Sequence, residues 1–254
     1  MFIDTHTHLY DEQLMPEIDT LIQKAIDAGV SRMYMPNCDS STIAGMEQIA
    51  AKWPANCFPM MGVHPCYIKE NYKQELDIAA QWIANNKCYA IGEIGLDYYW
   101  DLTFKQQQIE AFETQIDWAL QNDLPIVIHS RESTADCIDI VRKKQNGKLR
   151  GIFHCFSGTA EEAQQICDLG FMLGIGGVVT FKKSTLPDII KASLLGHIVL
   201  ETDAPYLAPM PYRGKRNESS YIPLIAAKVA EVTGMAIDDI ATITTQNAEK
   251  IFTN

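Results

Sequence analysis

Short apolar runs alternate with stretches of helical spacing along most of the chain. The opening Met1–His8 reads as a strand, as do Arg32–Pro36, Phe58–Val63, Tyr89–Leu96, Pro125–His129, Gly151–His154, Phe171–Ile175 and His197–Glu201. Between them, apolar positions recur every three or four residues. Ile18, Leu21, Ile22, Ala25 and Ile26 mark a helix over Pro16–Gly29, and Ile109, Phe112, Ile116, Ala119 and Leu120 another over Phe104–Asn122. Further helices are predicted over Ser40–Trp53, with Ser40 or Ser41 as N-cap, and over Gln74–Asn85, Ser133–Lys144, Ala160–Leu169 and Leu186–Ala192. Two more, Tyr221–Thr233 and Asp238–Thr253, follow a loop rich in proline and basic residues. Eight strands alternating with helices predict a single α/β domain over 1–254, a (β/α)8 TIM barrel with its site at the C-terminal ends of the strands. A doubly wound open sheet is the second choice. No glycine-rich phosphate-binding fingerprint opens a helix, which weakens its nucleotide-binding version.

Composition narrows the class. At 254 residues and 47% hydrophobic, the chain can bury a full core, and no apolar run is long enough to cross a membrane. No signal peptide is expected ahead of the first strand. The seven cysteines are scattered and odd in number, which fits free thiols in a reducing cytoplasm rather than a disulfide framework. A net charge of −11 argues against coating nucleic acid non-specifically, so attraction to a phosphate polymer has to be local.

The polar residues at the strand ends carry the chemistry. His6 and His8 close the first strand, His64 the third, His129 the fifth, His154 the sixth and Asp203 the eighth, while Glu93 lies towards the end of the fourth. Five of the six histidines sort to the end of the barrel where barrel enzymes place their sites, and His197 alone lies at the other end. Mixed imidazole and carboxylate ligation suits two divalent ions such as Zn, Mn or Ni, and Mg when substrate phosphates add ligands. His6, His8 and Asp203 would hold one ion, His129 and His154 the other, and the two oxygens of Glu93 would bridge them.

The same segments carry a resemblance. Asp4-Thr5-His6-Thr7-His8, Gly62-Val63-His64-Pro65, Gly92-Glu93-Ile94-Gly95-Leu96-Asp97, His129-Ser130-Arg131-Glu132, His154-Cys155-Phe156-Ser157-Gly158, Glu201-Thr202-Asp203-Ala204-Pro205-Tyr206 and Arg213-Gly214-Lys215-Arg216-Asn217-Glu218 resemble the TatD family of metal-dependent deoxyribonucleases, in order and from the first strand to the last helices. The resemblance implies an amidohydrolase-like barrel, a metal pair on the six ligands named above, and DNA as the nucleic-acid substrate, cleaved exonucleolytically with a single-strand preference. Strand four offers Glu93 where related amidohydrolases use a carboxylated lysine. The family usually has proline after Asn-Glu in the basic loop; this chain has Ser219.

The expected chemistry is phosphodiester hydrolysis by a metal-activated water. Asp203 would orient the water or accept its proton, and His64 would hydrogen-bond a phosphate or protonate the leaving oxygen. Arg131 and Arg213 are the candidate phosphate clamps, with Lys182, Lys183, Lys215 and Arg216 nearby. Tyr98, Tyr99, Trp100, Tyr206 and Tyr212 are candidates for stacking bases, and Glu201 for orienting a ligand. No membrane or obligate protein partner is expected. Two alternatives stay open: a hydrolase of other esters or amides, including an aminoacyl ester on tRNA, and a non-catalytic metal-dependent binder.

Overall fold

The computed structural model describes residues 1–190 and 192–252. Eight parallel strands run in chain order: β1 (Phe2–Asp4), β2 (Val30–Pro36), β3 (Cys57–Met60), β4 (Ile91–Asp97), β5 (Ile126–Arg131), β6 (Gly151–Phe153), β7 (Met172–Ile175) and β8 (Ile198–Leu200). Parallel ladders link consecutive strands in two runs, β1-β2-β3 and β4-β5-β6-β7-β8. Single bridges close the two seams, Met61 with Ile91 and Thr7 with Ala204, the latter helped by a Thr5 N–H bond to Leu200 O at 3.0 Å. The result is the (β/α)8 barrel.

Helices α1 (Ile18–Asp27), α2 (Ile43–Lys52), α3 (Tyr72–Asn85), α4 (Lys105–Asn122), α5 (Thr134–Lys144), α6 (Ala160–Asp168), α7 (Leu186–Ile189), α8 (Ile222–Thr233) and α9 (Ile237–Phe252) form the outer ring. Their apolar stripes meet the outward side chains of the strands, such as Ile126 and Ile128 of β5. No single helix among the described residues is long and apolar enough to cross a membrane.

Strand periodicity explains why the chemistry collects at one end. Ile3, Tyr34, Met60, Val127, Ile152, Met172 and Val199 point inward as an apolar plug, capped from below by Ala248, Ile251 and Phe252 of α9. Alternation puts the residue two positions further on the same face. That residue is His129 after Val127, His154 after Ile152, Glu201 after Val199 and Gly174 after Met172. The apolar layer becomes a polar one within a single repeat.

Boundaries differ from the sequence pattern where no ladder partner exists. β1 stops at Asp4 and β3 at Met60, so the histidines lie on loop backbone just beyond. The α2 cap is Thr42, without a side-chain cap bond. Ser40 instead binds Glu75 through its N–H (2.8 Å) and hydroxyl (3.0 Å), and Ser41 binds Asp39. The expected helices over Leu186–Ala192 and Asp238–Thr253 include Lys191 and Thr253, which lie outside the described residues.

Candidate metal centre

Glu93 is the pivot. It is 2% exposed, and each of its oxygens faces a different set of imidazoles. Oε2 lies 3.1 Å from His6 Nε2 and 3.6 Å from His8 Nε2. Oε1 lies 2.9 Å from His129 Nδ1, 3.3 Å from His64 Nε2 and 3.8 Å from His154 Nε2. Asp203 completes the first side: its Oδ1 is 3.4 Å from His8 Nε2 and 3.8 Å from His6 Nε2. Asp203 reaches there from a backbone held at φ +57°.

What the outer nitrogens touch decides what the inner ones present. Tyr10 donates its hydroxyl proton to Pro36 O, so it accepts one from His8 Nδ1 at 2.9 Å. The Asp97 carboxylate sits 2.8 Å from His129 Nε2 and takes that N–H. His154 Nδ1 lies 2.9 Å from Glu201 Oε1, at ion-pair distance without hydrogen-bond alignment. At His8 and His129 the outer partner can hold a ring proton, which frees the inner nitrogen for a cation. His6 Nε2 and His8 Nε2 lie 3.2 Å apart, at hydrogen-bond distance.

His64 is the exception. Its Nδ1 accepts the Cys66 N–H at 3.1 Å, so the neutral ring carries its hydrogen on Nε2, towards Glu93 and His129. Four donor groups among the described residues are close enough for a cation: His6–His8–Asp203, His6–Glu93–His154, His64–Glu93–His129 and His154–Cys155–Glu201. The first matches the expected ligand set of one ion. The second and third split the expected His129–His154 pair, placing His154 against His6, ring centroids 3.4 Å apart, and His129 against His64. Both still share Glu93 Oε1. The protonation of His64 Nε2 leaves it a proton-holding group rather than a ligand.

The donor set fits a divalent cation. His6 Nδ1 and Glu201 Oε2 are buried without a hydrogen-bond partner among the described residues. A Cβ on Gly174 would fall 2.2 Å from Glu201 Oε2, so the glycine is what leaves room for that carboxylate. Burial and the His154 charge push His6 down to about 4. Burial also opposes charge on His154, but Glu201, Asp203 and Glu93 more than offset it and raise it to about 9. Burial works against the Glu93 carboxylate, yet His64, His6 and His154 hold it well below the usual range. Buried acids and imidazoles thus share protons where a cation would displace them.

A cavity of about 1180 Å³ opens above this cluster, with Tyr10, Tyr67, Trp100, Arg131, Phe181 and Tyr206 among its walls. Arg131, the last residue of β5, lines this cavity. Arg213 is set back, its guanidinium 4.5 Å from the Phe181 ring. Tyr98 turns away from the cavity: its hydroxyl donates to Asp136 at 2.8 Å, and Lys105 lies over its ring at 3.9 Å. Tyr212 stacks on Tyr221, and Arg216 bonds Gln13 O and Glu17, which ties down the basic loop. Residues that sequence reasoning missed are Tyr10 and Asp97, which fix two histidine tautomers. Tyr10 sits in the turn that follows His8, where strand spacing gives no signal.

Comparison with known proteins agrees with this geometry. The family model for TatD related DNase matches residues 3–253. The chain belongs to the TatD family. It is 37% identical over 253 residues to the uncharacterized metal-dependent hydrolase YabD of Bacillus subtilis (strain 168), covering 99% of both chains. It is 30% identical over 254 residues to the uncharacterized metal-dependent hydrolase YcfH of Escherichia coli (strain K12), covering 98% of this chain and 95% of that one. Among solved structures, the TatD homologue YjjV of Escherichia coli K12 superposes with a TM-score of 0.93 at 26% identity, covering 100% of this chain and 98% of that chain. As a TatD protein this chain is a metal-dependent hydrolase.

Proposed function

We propose that this TatD protein hydrolyses phosphodiester bonds of DNA, from an end and with preference for an unpaired strand, in a reducing cytoplasm. One observation carries the reading: imidazole nitrogens and two carboxylates converge from five strand ends on the floor of an open cavity, with Glu93 facing both halves. His6, His8, Asp203 and Glu93 would hold one divalent ion, and Glu93, His129 and His154 the other. Bound there, such ions supply Lewis acidity towards a phosphate and lower the pKa of water.

The chain's own groups supply the rest. Burial disfavours charge on Asp203, but His154, His8 and His6 hold its pKa down, so the carboxylate is ionised at neutral pH and orients an attacking water from the cavity floor. His64 keeps a proton on Nε2 at the cavity edge, where it donates to a phosphate oxygen or to the leaving oxygen. Arg131 stands at the wall as a guanidinium for the flanking phosphate. An open cavity above the ligands favours catalysis over a closed, purely structural metal site.

The same centre is chemically competent for an aminoacyl or other carboxylic ester, so substrate choice is the test. Turnover of end-labelled single-stranded DNA, RNA and p-nitrophenyl acetate is compared across Mn, Mg, Zn and Ni with a chelator control. DNA is expected to be cleaved fastest, with chelator abolishing turnover. Glu93→Ala and His129→Ala are expected to lose at least about 100-fold in activity while keeping the far-ultraviolet circular dichroism of the wild type. Faster turnover of the carboxylic ester would reassign the substrate.

A further inference from the structure

The loop after β4 carries a preassembled aromatic unit that the hydrolytic centre itself does not use. Tyr99 is 50% exposed and Trp100 68%, although both are large apolar rings. Their rings meet edge to face at 4.9 Å. The Arg131 guanidinium, from the end of β5, lies 3.8 Å from the Tyr99 centroid and 5.2 Å from that of Trp100. Trp100 and Arg131 both line the cavity above the metal ligands. A tryptophan left this open, beside a cation and next to a site for polyanions, has the chemistry of a base-stacking platform.

The platform is tied to the metal centre by one side chain. Asp97 is 1% exposed. Its Oδ1 accepts the backbone N–H of Tyr99 at 3.0 Å and of Trp100 at 3.1 Å, while its Oδ2 takes the Nε2–H of His129 at 2.8 Å. A single carboxylate thus fixes the spacing between His129 and the platform. Lys69 secures the other side of the loop through Asp101 at 3.2 Å. The opposite cavity wall offers Asp11 and Glu12, which repel a phosphate chain.

We propose that Trp100, Tyr99 and Arg131 form a nucleotide subsite: the base of the residue adjoining the scissile phosphate stacks on Trp100, and its phosphate is gripped by Arg131. The subsite rests on the nucleic-acid reading of the centre and adds how a nucleotide is held there. A base face is free only in an unpaired strand or a frayed end, so the platform selects for those. Tyr99 is a positioning residue, since its ring carries the guanidinium.

The test separates base from phosphate. Fluorescence anisotropy in EDTA measures binding of labelled (dT)6 and of an abasic hexamer with the same phosphates; steady-state kinetics with Mn follow (dT)6 hydrolysis. Wild type is expected to bind (dT)6 at least about 10-fold more tightly than the abasic chain. Trp100→Ala is expected to bind both alike and to raise KM for (dT)6 about 10-fold with kcat within about two-fold; Trp100→Phe should regain most of the discrimination. Arg131→Ala should weaken both chains equally and flatten the salt dependence by about one phosphate contact. Equal binding of the two chains by wild type, no binding of either, or discrimination kept by Trp100→Ala and lost in Tyr206→Ala would overturn the subsite. Discrimination without hydrolysis would leave the subsite standing and reject the nuclease reading; hydrolysis without discrimination would do the reverse.

Discussion

At the scale of the residue, the centre is decided by hydrogens rather than by heavy atoms. The same ring, histidine, serves two purposes because its outer nitrogen meets different groups. Tyr10 and Asp97 draw protons away from the cluster at His8 and His129, whereas the Cys66 N–H feeds one back at His64. Asp97→Asn replaces an acceptor by an amide whose N–H₂ can face His129 Nε2. It is expected to lower metal affinity about 10–100-fold, measured by isothermal titration with Mn. The residues that meet at the centre were legible in the sequence, since strand periodicity and histidine placement point to them. The tautomers were not, because Asp97, Cys66 and Tyr10 reach their partners through loop conformations with no period to read.

The cysteines give a second residue-scale expectation. Burial pushes the thiols of Cys57 and Cys137 up to about 12. At pH 8 almost none of either is thiolate, the form that reacts. Intact-mass analysis after iodoacetamide treatment at pH 8 should show both unmodified in the native protein and alkylated after denaturation in guanidinium chloride. Rapid modification of either in the folded protein would contradict the buried placement.

At the scale of the element, the helices follow their sequence signals closely and the strand ends do not. The α6 boundary was readable: Thr159 accepts the Glu162 N–H at 3.2 Å and the Glu162 carboxylate accepts the Thr159 N–H at 2.7 Å, a reciprocal cap with residues at the required spacing. Thr159→Ala should cost about 1 kcal/mol, read as a shift of the urea midpoint with unchanged slope. The α2 start was misread because Ser40 and Ser41 were spent on Glu75 and Asp39, and serine hydroxyls bind whichever partner the fold brings near. The truncation of β1 and β3 has a different cause. Strand pattern speaks of side-chain burial, whereas a ladder needs a neighbour, and at both barrel seams the neighbour is reduced to one bridge.

At the scale of the whole molecule, the barrel does for this chain what no local segment does. It gathers residues 6, 93, 129, 154 and 203 around a volume a few ångströms wide, above an apolar plug built lower in the barrel. The seam between β1 and β8 is part of that design. Asp4 accepts the Thr202 N–H at 2.9 Å and its hydroxyl at 2.6 Å, and Asn217 donates to Thr202 O at 2.7 Å, so ligands from the two ends of the chain stand on one network. Ser219, where the family usually has proline, is buried in the same network with its hydroxyl 3.3 Å from that of Thr7. Fold class and the grouping of these residues were legible because they depend on order along the chain. The orientation of the rim residues was not: Tyr98 and Tyr99 are adjacent in sequence, yet one turns to Asp136 and the other carries Arg131.

The central claim is that Glu93 stands between two cation sites. The direct measurement is metal stoichiometry by inductively coupled plasma mass spectrometry on Mn-loaded, gel-filtered protein. The account predicts about two ions per chain for the wild type, from the two halves around Glu93, and a fall to one or fewer in Glu93→Gln with the fold retained. One ion per wild-type chain, or an unchanged two in Glu93→Gln, would contradict it.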